Sequence, residues 1–137
     1  MLDNTNYLKD FVPYEQALEL KKLGFDESCL MAYLGKEKEP YLKCDDTWHL
    51  QAKDVLNPLK TPTFSQAFRW FREKYNIDAW VQPFVSEKRG KPFLPDESYA
   101  YYIFEDGVYV ADGVNFLDSE EAELECLKKL IEITKNK

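Results

Sequence analysis

A chain of 137 residues with 45% hydrophobic and 15% aromatic content is long enough for one core, too short for two ordinary domains, and too rich in rings to be disordered. Its formal net charge of −7, from 25 acidic against 18 basic residues, opposes the counterion release that drives most nucleic-acid binding. That argues against direct binding of DNA or RNA, and it suits a basic protein partner, imitation of nucleic acid or plain solubility.

In chain order, Met1-Leu2-Asp3-Asn4-Thr5-Asn6-Tyr7 has neither the basic start nor the apolar run of a secretion signal. The mature chain is expected to begin near Met1, with residues 1–11 a flexible lead-in to a single domain over 12–137. Residues 13–23 form the first expected helix: Pro13 suits a first turn, where its missing N–H has no intrahelical partner, and Gly24 is placed to end it. Residues 29–34 and 41–44 read as a strand pair around a polar turn at 35–40. Residues 45–61 have no clean period and contain Pro58, so they read as a connection, long enough to mark a function or a missed element.

The second helix is the best defined. Pro62 blocks an earlier start, Thr63 is a good N-cap and Gln66 completes a capping box. Phe64, Ala67, Phe68, Phe71 and Tyr75 then share one face, with Trp70 on its flank beside Lys74, and Arg69, Arg72 and Glu73 on the outer side. Residues 79–85 follow as a strand that Pro83 assigns to an edge or a bulge. After a charged loop at 87–95, residues 99–105 and 108–111 flank Asp106-Gly107, the pair a tight type I′ turn prefers, which sets Glu105 opposite Val108 and Phe104 opposite Tyr109. The last helix starts at a capping box on Asp118 and Glu121, with Ala122, Cys126, Leu130 and Ile133 at the centre of an apolar arc that Leu127 and Ile131 widen, and with Glu125 and Lys129 paired on the wet side. The class expected is α+β, three helices packed on a small, largely antiparallel sheet of about four to five strands.

The chemistry available is narrow. With one histidine, His49, neither a His-rich metal site nor a two-histidine acid/base pair fits within one chain. Asp45-Asp46-Thr47-Trp48-His49 lacks further metal ligands nearby, and a Cys44 nucleophile with His49 as base has no orienting third group in the sequence. Five glycines and no phosphate-cradling motif argue against the common nucleotide-driven enzymes. Cys29, Cys44 and Cys126 are an odd count with no C-x-x-C spacing, which fits buried thiols in a reducing cytoplasm. No apolar segment has the ~18 residues needed to cross a bilayer.

Binding residues are easier to nominate. Trp70, with Arg69 and Arg72 beside it, sits where core meets solvent, and Tyr101 and Tyr109 belong to a hairpin whose two faces both carry rings. If helices cover both faces, these rings are core; if only one is covered, the other is an aromatic surface suited to stacking or protein contact.

The segments Gln66-Ala67-Phe68-Arg69-Trp70-Phe71-Arg72-Glu73-Lys74-Tyr75-Asn76, Glu121-Ala122-Glu123-Leu124 and Cys126-Leu127-Lys128-Lys129-Leu130-Ile131-Glu132-Ile133, with Val12-Pro13-Tyr14-Glu15-Gln16-Ala17-Leu18, resemble a family of small uncharacterised proteins of bacteriophages and mobile elements of gut bacteria. The resemblance spans about 12–137 with a variable middle, and it implies a setting rather than an activity: an element-borne cytoplasmic accessory protein. The leading expectation is therefore a non-catalytic protein without cofactor or metal that binds a protein partner through aromatic surface, with self-association open. A small-ligand binder that stacks a nucleotide base on Trp or Tyr and holds its phosphate with Arg69, Arg72 or Arg89 is the alternative, and a Cys44/His49 enzyme the third.

Overall fold

The computed structural model describes residues 6–33, 40–42, 58–84 and 98–137. The turn expected at 35–40 apart from Pro40, most of the 45–61 connection with Cys44, Asp45, Asp46 and His49 nearby, and the loop holding Arg89 lie outside the described residues. Among those described, the protein is α+β: three α-helices, a short 3-10 helix and two three-stranded sheets, each antiparallel throughout. The antiparallel pairing agrees with the sequence; the strands are divided between two sheets, with one short strand, Leu59–Thr61, at the end of the segment that reads as a connection. The chain groups into two compact units, Met1–Ala67 and Phe68–Lys137.

In the first unit, a 3-10 helix at Asn6–Asp10 leads into α1 (Tyr14–Lys22), β1 (Met31–Tyr33), β2 (Pro40–Leu42) and β3 (Leu59–Thr61), with sheet order β2-β1-β3. Pro13 is the N-cap residue of α1, and Gly24, at φ 101°, takes the left-handed conformation that lets the chain turn off the helix. Val12 ties the entry of the chain to the sheet: its N–H donates to the Pro62 carbonyl at 2.9 Å, and its own carbonyl accepts from the Thr61 hydroxyl and from the Tyr33 hydroxyl at 3.2 Å. Met31, Ala32 and Tyr33 are all buried, so β1 reads as an unbroken apolar run rather than an alternating one.

Helix α2 (Phe64–Tyr75) runs across the boundary between the units. Its N-cap is as expected, the Gln66 N–H donating to Thr63 Oγ1 at 3.1 Å. The Gln66 side chain does not complete the box; its Nε2 donates instead to the Ser28 carbonyl at 2.9 Å and to Glu27 Oε1 at 3.3 Å. A carbonyl fixed within reach offers that amide a better acceptor than water does.

In the second unit α2 stops at Asn76, whose φ of 56° turns the chain directly into β4 (Ile77–Pro83), two residues earlier than the sequence implies. The Asn76 carbonyl accepts from the Asp106 N–H at 3.1 Å and its side-chain amide donates to the Asp106 carboxylate, fastening the hairpin turn to the helix end. Asn is tolerated at a left-handed helix end where alanine is not. Asn76→Ala is accordingly expected to lower the unfolding free energy by about 1–2 kcal/mol, and Asn76→Gly by less, in urea titrations; equal losses would show that the side-chain bond, and not the backbone conformation, is what matters.

Strands β5 (Tyr99–Glu105) and β6 (Val108–Phe116) meet through Asp106 and Gly107, both at positive φ, with Glu105 opposite Val108 and Phe104 opposite Tyr109 as expected. The sheet order is β4-β5-β6, so Pro83 does close an edge strand. Strand β6 runs past Ala111 to Phe116 because it contains two bulges, one at the step from Ala111 to Tyr109 and one between Gly113 and Phe116, where Asn115 takes φ 69°.

Helix α3 (Ser119–Lys135) packs across all three of these strands. Asp118 caps it, accepting from the Glu121 N–H at 2.7 Å, and Glu121 Oε2 accepts in turn from the Leu117 N–H at 3.2 Å. Its buried stripe is Ala122, Cys126, Leu127, Leu130, Ile131 and Thr134; Thr134 takes the inner place expected of Ile133, its hydroxyl satisfied by the Leu130 carbonyl at 2.8 Å. Surface pairing also differs: Glu125 meets Lys128 at 3.0 Å and Lys129 meets Glu132 at 3.3 Å, both three residues apart, in place of Glu125 with Lys129.

Candidate functional site

The two faces of the β4-β5-β6 sheet differ in kind. Register puts Ile77, Ala79 and Val81 of β4 with Glu105, Ile103 and Tyr101 of β5, and Ala111, Gly113 and Phe116 of β6 continue that side. Ile77 and Ile103 there are fully buried, as are Cys126, Leu127 and Leu130 of α3, the helix laid against the sheet. This face is core.

The opposite face carries Trp80, Tyr102, Phe104 and Tyr109. Trp80 lies directly across from Tyr102, with ring centroids 5.8 Å apart, and stacks on Phe104 at 5.3 Å with the ring planes 9° apart. Phe104 in turn meets Tyr109 edge-on at 6.0 Å. The result is a chain of four rings across three strands, held by contacts that favour offset and T-shaped geometries. Trp80 Nε1 donates to Gln82 Oε1 at 3.0 Å, two residues along the strand on the same face, which restrains the indole. Trp80 is 41% exposed and Tyr109 54%, while Tyr102 and Phe104 are half-buried. Asp78 stands opposite Phe104 and Asp112 opposite Tyr102, so a carboxylate flanks the rings on each outer strand.

The first β6 bulge builds this surface. Without the extra residue Val110, Tyr109 and Asp112 would point to opposite faces; with it they share one. The Asp112 carboxylate accepts a hydrogen bond from the Tyr109 hydroxyl and, with the little desolvation there, raises the phenol above its ordinary pKa.

The residues nominated from sequence do not come together. Trp70 is 6% exposed rather than at the margin: its indole lies edge-on to Phe71 at 5.0 Å and to Tyr75 at 5.6 Å, and the Lys74 ammonium covers it at 4.9 Å. Arg69 and Arg72 are exposed on the same helix. Tyr101 belongs to the covered face, stacked on Phe116 at 5.8 Å, and burial raises its pKa, with a smaller contribution from the nearby Glu125 carboxylate. Tyr109 alone of the five lies on the open ring surface. Trp80, Tyr102 and Phe104 carry no sequence signal as a group, since only the register between β4 and β5 brings Trp80 over Tyr102.

Elsewhere, a cleft of about 270 Å³ in the first unit is lined by Ala17, Lys21, Phe25, Asp26, Leu59 and Lys60. Lys60 there donates to Asp26 at 3.1 Å, and Lys21 adds a further positive charge to the lining. No group of three or more metal-ligating side chains occurs among the described residues, and no described helix is long and apolar enough to cross a membrane.

The thiol of Cys126 lies under the sheet; burial, and secondarily the charge of Glu123, pushes its pKa up to about 12 from an ordinary 9.0. Burial likewise raises Tyr33 in the first unit. Each of these groups is neutral in the fold and has a folded pKa above its unfolded one. The stability they contribute is therefore complete below the unfolded values, about 9 for the thiol and 10 for the phenols, and is lost as pH rises toward the folded ones, at a limiting slope of about 1.4 kcal/mol per pH unit per group. Urea midpoints are expected to hold up to about pH 9 and then fall, and peptide mapping after alkylation near pH 8 is expected to find Cys126 unmodified in the native protein. Rapid native alkylation of Cys126 would contradict its placement.

Comparisons of the chain with protein-family models, with curated proteins and with solved structures find no match.

Proposed function

We propose that this is a non-catalytic binding protein whose recognition surface is the open face of the β4-β5-β6 sheet. The observation that carries the reading is the continuous chain of rings Tyr102, Trp80, Phe104 and Tyr109, with Trp80 and Tyr109 exposed at 41% and 54%, while the rings of the opposite face are used for packing. Isolated exposed rings are common on protein surfaces; a contiguous patch rimmed by polar groups is characteristic of an interface. Rigid aromatic side chains contribute large contact area at little cost in side-chain entropy, and tryptophan and tyrosine dominate interface energetics for that reason.

The setting we assign is that of an accessory or host-modulating factor of a phage or mobile element, acting in the bacterial cytoplasm on a protein partner. It is supported by the resemblance of the 66–76 and 121–133 segments to a family of such proteins and by the acidic composition of the chain. A second copy of the chain is a further partner that the same surface would admit.

The test compares the native protein with Trp80→Ser/Tyr109→Ser in capture from host-cell extract, alongside light scattering. The expected result is a reproducible partner held by the native chain and lost by the variant, with the circular dichroism melt little changed. Identical captured sets, or no partner and a strict monomer, would refute the reading.

A further inference from the structure

We infer that the occupant of this open face is a cationic protein segment whose arginine side chains lie across the Trp80–Phe104 stack and pair with Asp78 and Asp112; the inference rests on the open face being the recognition surface. Three observations converge on that chemistry. First, β4, β5 and β6 contain no lysine or arginine, so the sheet supplies nothing to neutralise an acidic or phosphate-bearing partner. Second, the carboxylates are not equally committed. Glu105 is on the helix-covered side and holds Lys137, and Asp106 holds Asn76, whereas Asp78 and Asp112 flank the rings from the two outer strands, Asp112 accepting from the Tyr109 hydroxyl, a neutral partner that leaves its charge in place. Third, the net charge of −7 attracts a basic partner at long range.

Arginine fits this surface better than lysine does. The guanidinium is flat, weakly hydrated and able to lie on an aromatic face while its edge donates two hydrogen bonds to one carboxylate. A lysine ammonium is a compact, strongly hydrated charge that does one of these things at a time. A single-stranded nucleic acid would also find rings to stack on, but its phosphates would meet carboxylates with no cation on the sheet to hold them.

The full-length, isotope-labelled protein is titrated with a synthetic peptide of Arg-Gly-Ser repeats and followed by NMR. Matched peptides with lysine or glutamate in place of arginine, and an oligothymidylate, serve as parallel probes. The arginine peptide is expected to shift the Trp80 indole N–H and the amides of Tyr102, Phe104 and Asp112. Its affinity should fall at least about tenfold in Asp78→Asn/Asp112→Asn, and fall as salt is raised. Shifts that map elsewhere, unchanged affinity in the double variant, or equal perturbation by the glutamate peptide or the oligothymidylate would overturn the inference. Equal affinity for the lysine peptide would overturn the arginine assignment. If extract capture depends on Trp80 while the arginine peptide leaves the face unperturbed, the recognition surface stands and the cationic partner falls; if neither depends on the face, both fall.

Discussion

Ile103→Ala is expected to lower the unfolding free energy by about 2–5 kcal/mol, enough to remove much of the stability of a domain this small. Ile103 is fully buried at the centre of β5, paired with Ala79 and Ala111, so its own neighbours in the sheet are small and cannot close over the space it leaves. The opposing layer is α3, whose Leu127 and Leu130 are likewise fully buried. Truncation thus costs both the transfer of the side chain and a cavity. The loss should appear as a lower urea midpoint at unchanged slope; a change below about 1 kcal/mol would place the core of this unit elsewhere.

Gly113→Val is expected to destabilise by about 1–3 kcal/mol for the opposite reason, overpacking. A Cβ at Gly113 would lie 2.5 Å from Cε1 and 2.8 Å from Cζ of Tyr101, and 3.1 Å from Cε2 of Phe116. Tyr101 is 7% exposed and stacked on Phe116, so its ring has little freedom to move aside. The glycine is needed because an aromatic ring from the neighbouring strand lies over its backbone. Combining Gly113→Val with Tyr101→Ala should cost less than the sum of the two single changes, since the second removes the ring that the first strikes. Additive losses in urea unfolding would show that this ring does not set the need for glycine.

How legible these features are in the sequence follows from which signals are local. Capping at Thr63 and Asp118, the type I′ turn at Asp106-Gly107 and the pairing of Phe104 with Tyr109 depend on residues a few positions apart, and they stand as expected. Strand β6 reads in the sequence as ending at Ala111 because two bulges shift its alternation. Tyr109 points outward, Ala111, Gly113 and Phe116 inward, and no period of two contains that set. Asp112-Gly113, which has the composition of a turn, is instead mid-strand, the glycine lying beneath Tyr101. β3 is three residues long, within the reach of no periodicity argument.

The candidate site is the least legible part. Trp70 falls on the flank of α2 by helical geometry, but so large a ring can fold down over Phe71 and Tyr75, and the Lys74 ammonium lies over it. Tyr101 and Tyr109 belong to opposite faces by the pairing of Phe104 with Tyr109, but which of the two faces is covered depends on the side α3 takes. Trp80 becomes a binding candidate only when β4 is set against β5 with Trp80 across from Tyr102, a long-range fact absent from any local pattern.

The division of one sheet between a packing face and a recognition face is tested most directly by Trp80→Ser, with unfolding free energy and partner capture measured on the same preparation. The expected result is a stability within about 1.5 kcal/mol of the native protein, the size of an aromatic pair's contribution, together with complete loss of capture. A fall in stability matching that of Ile103→Ala, or capture undiminished in a folded variant, would contradict it.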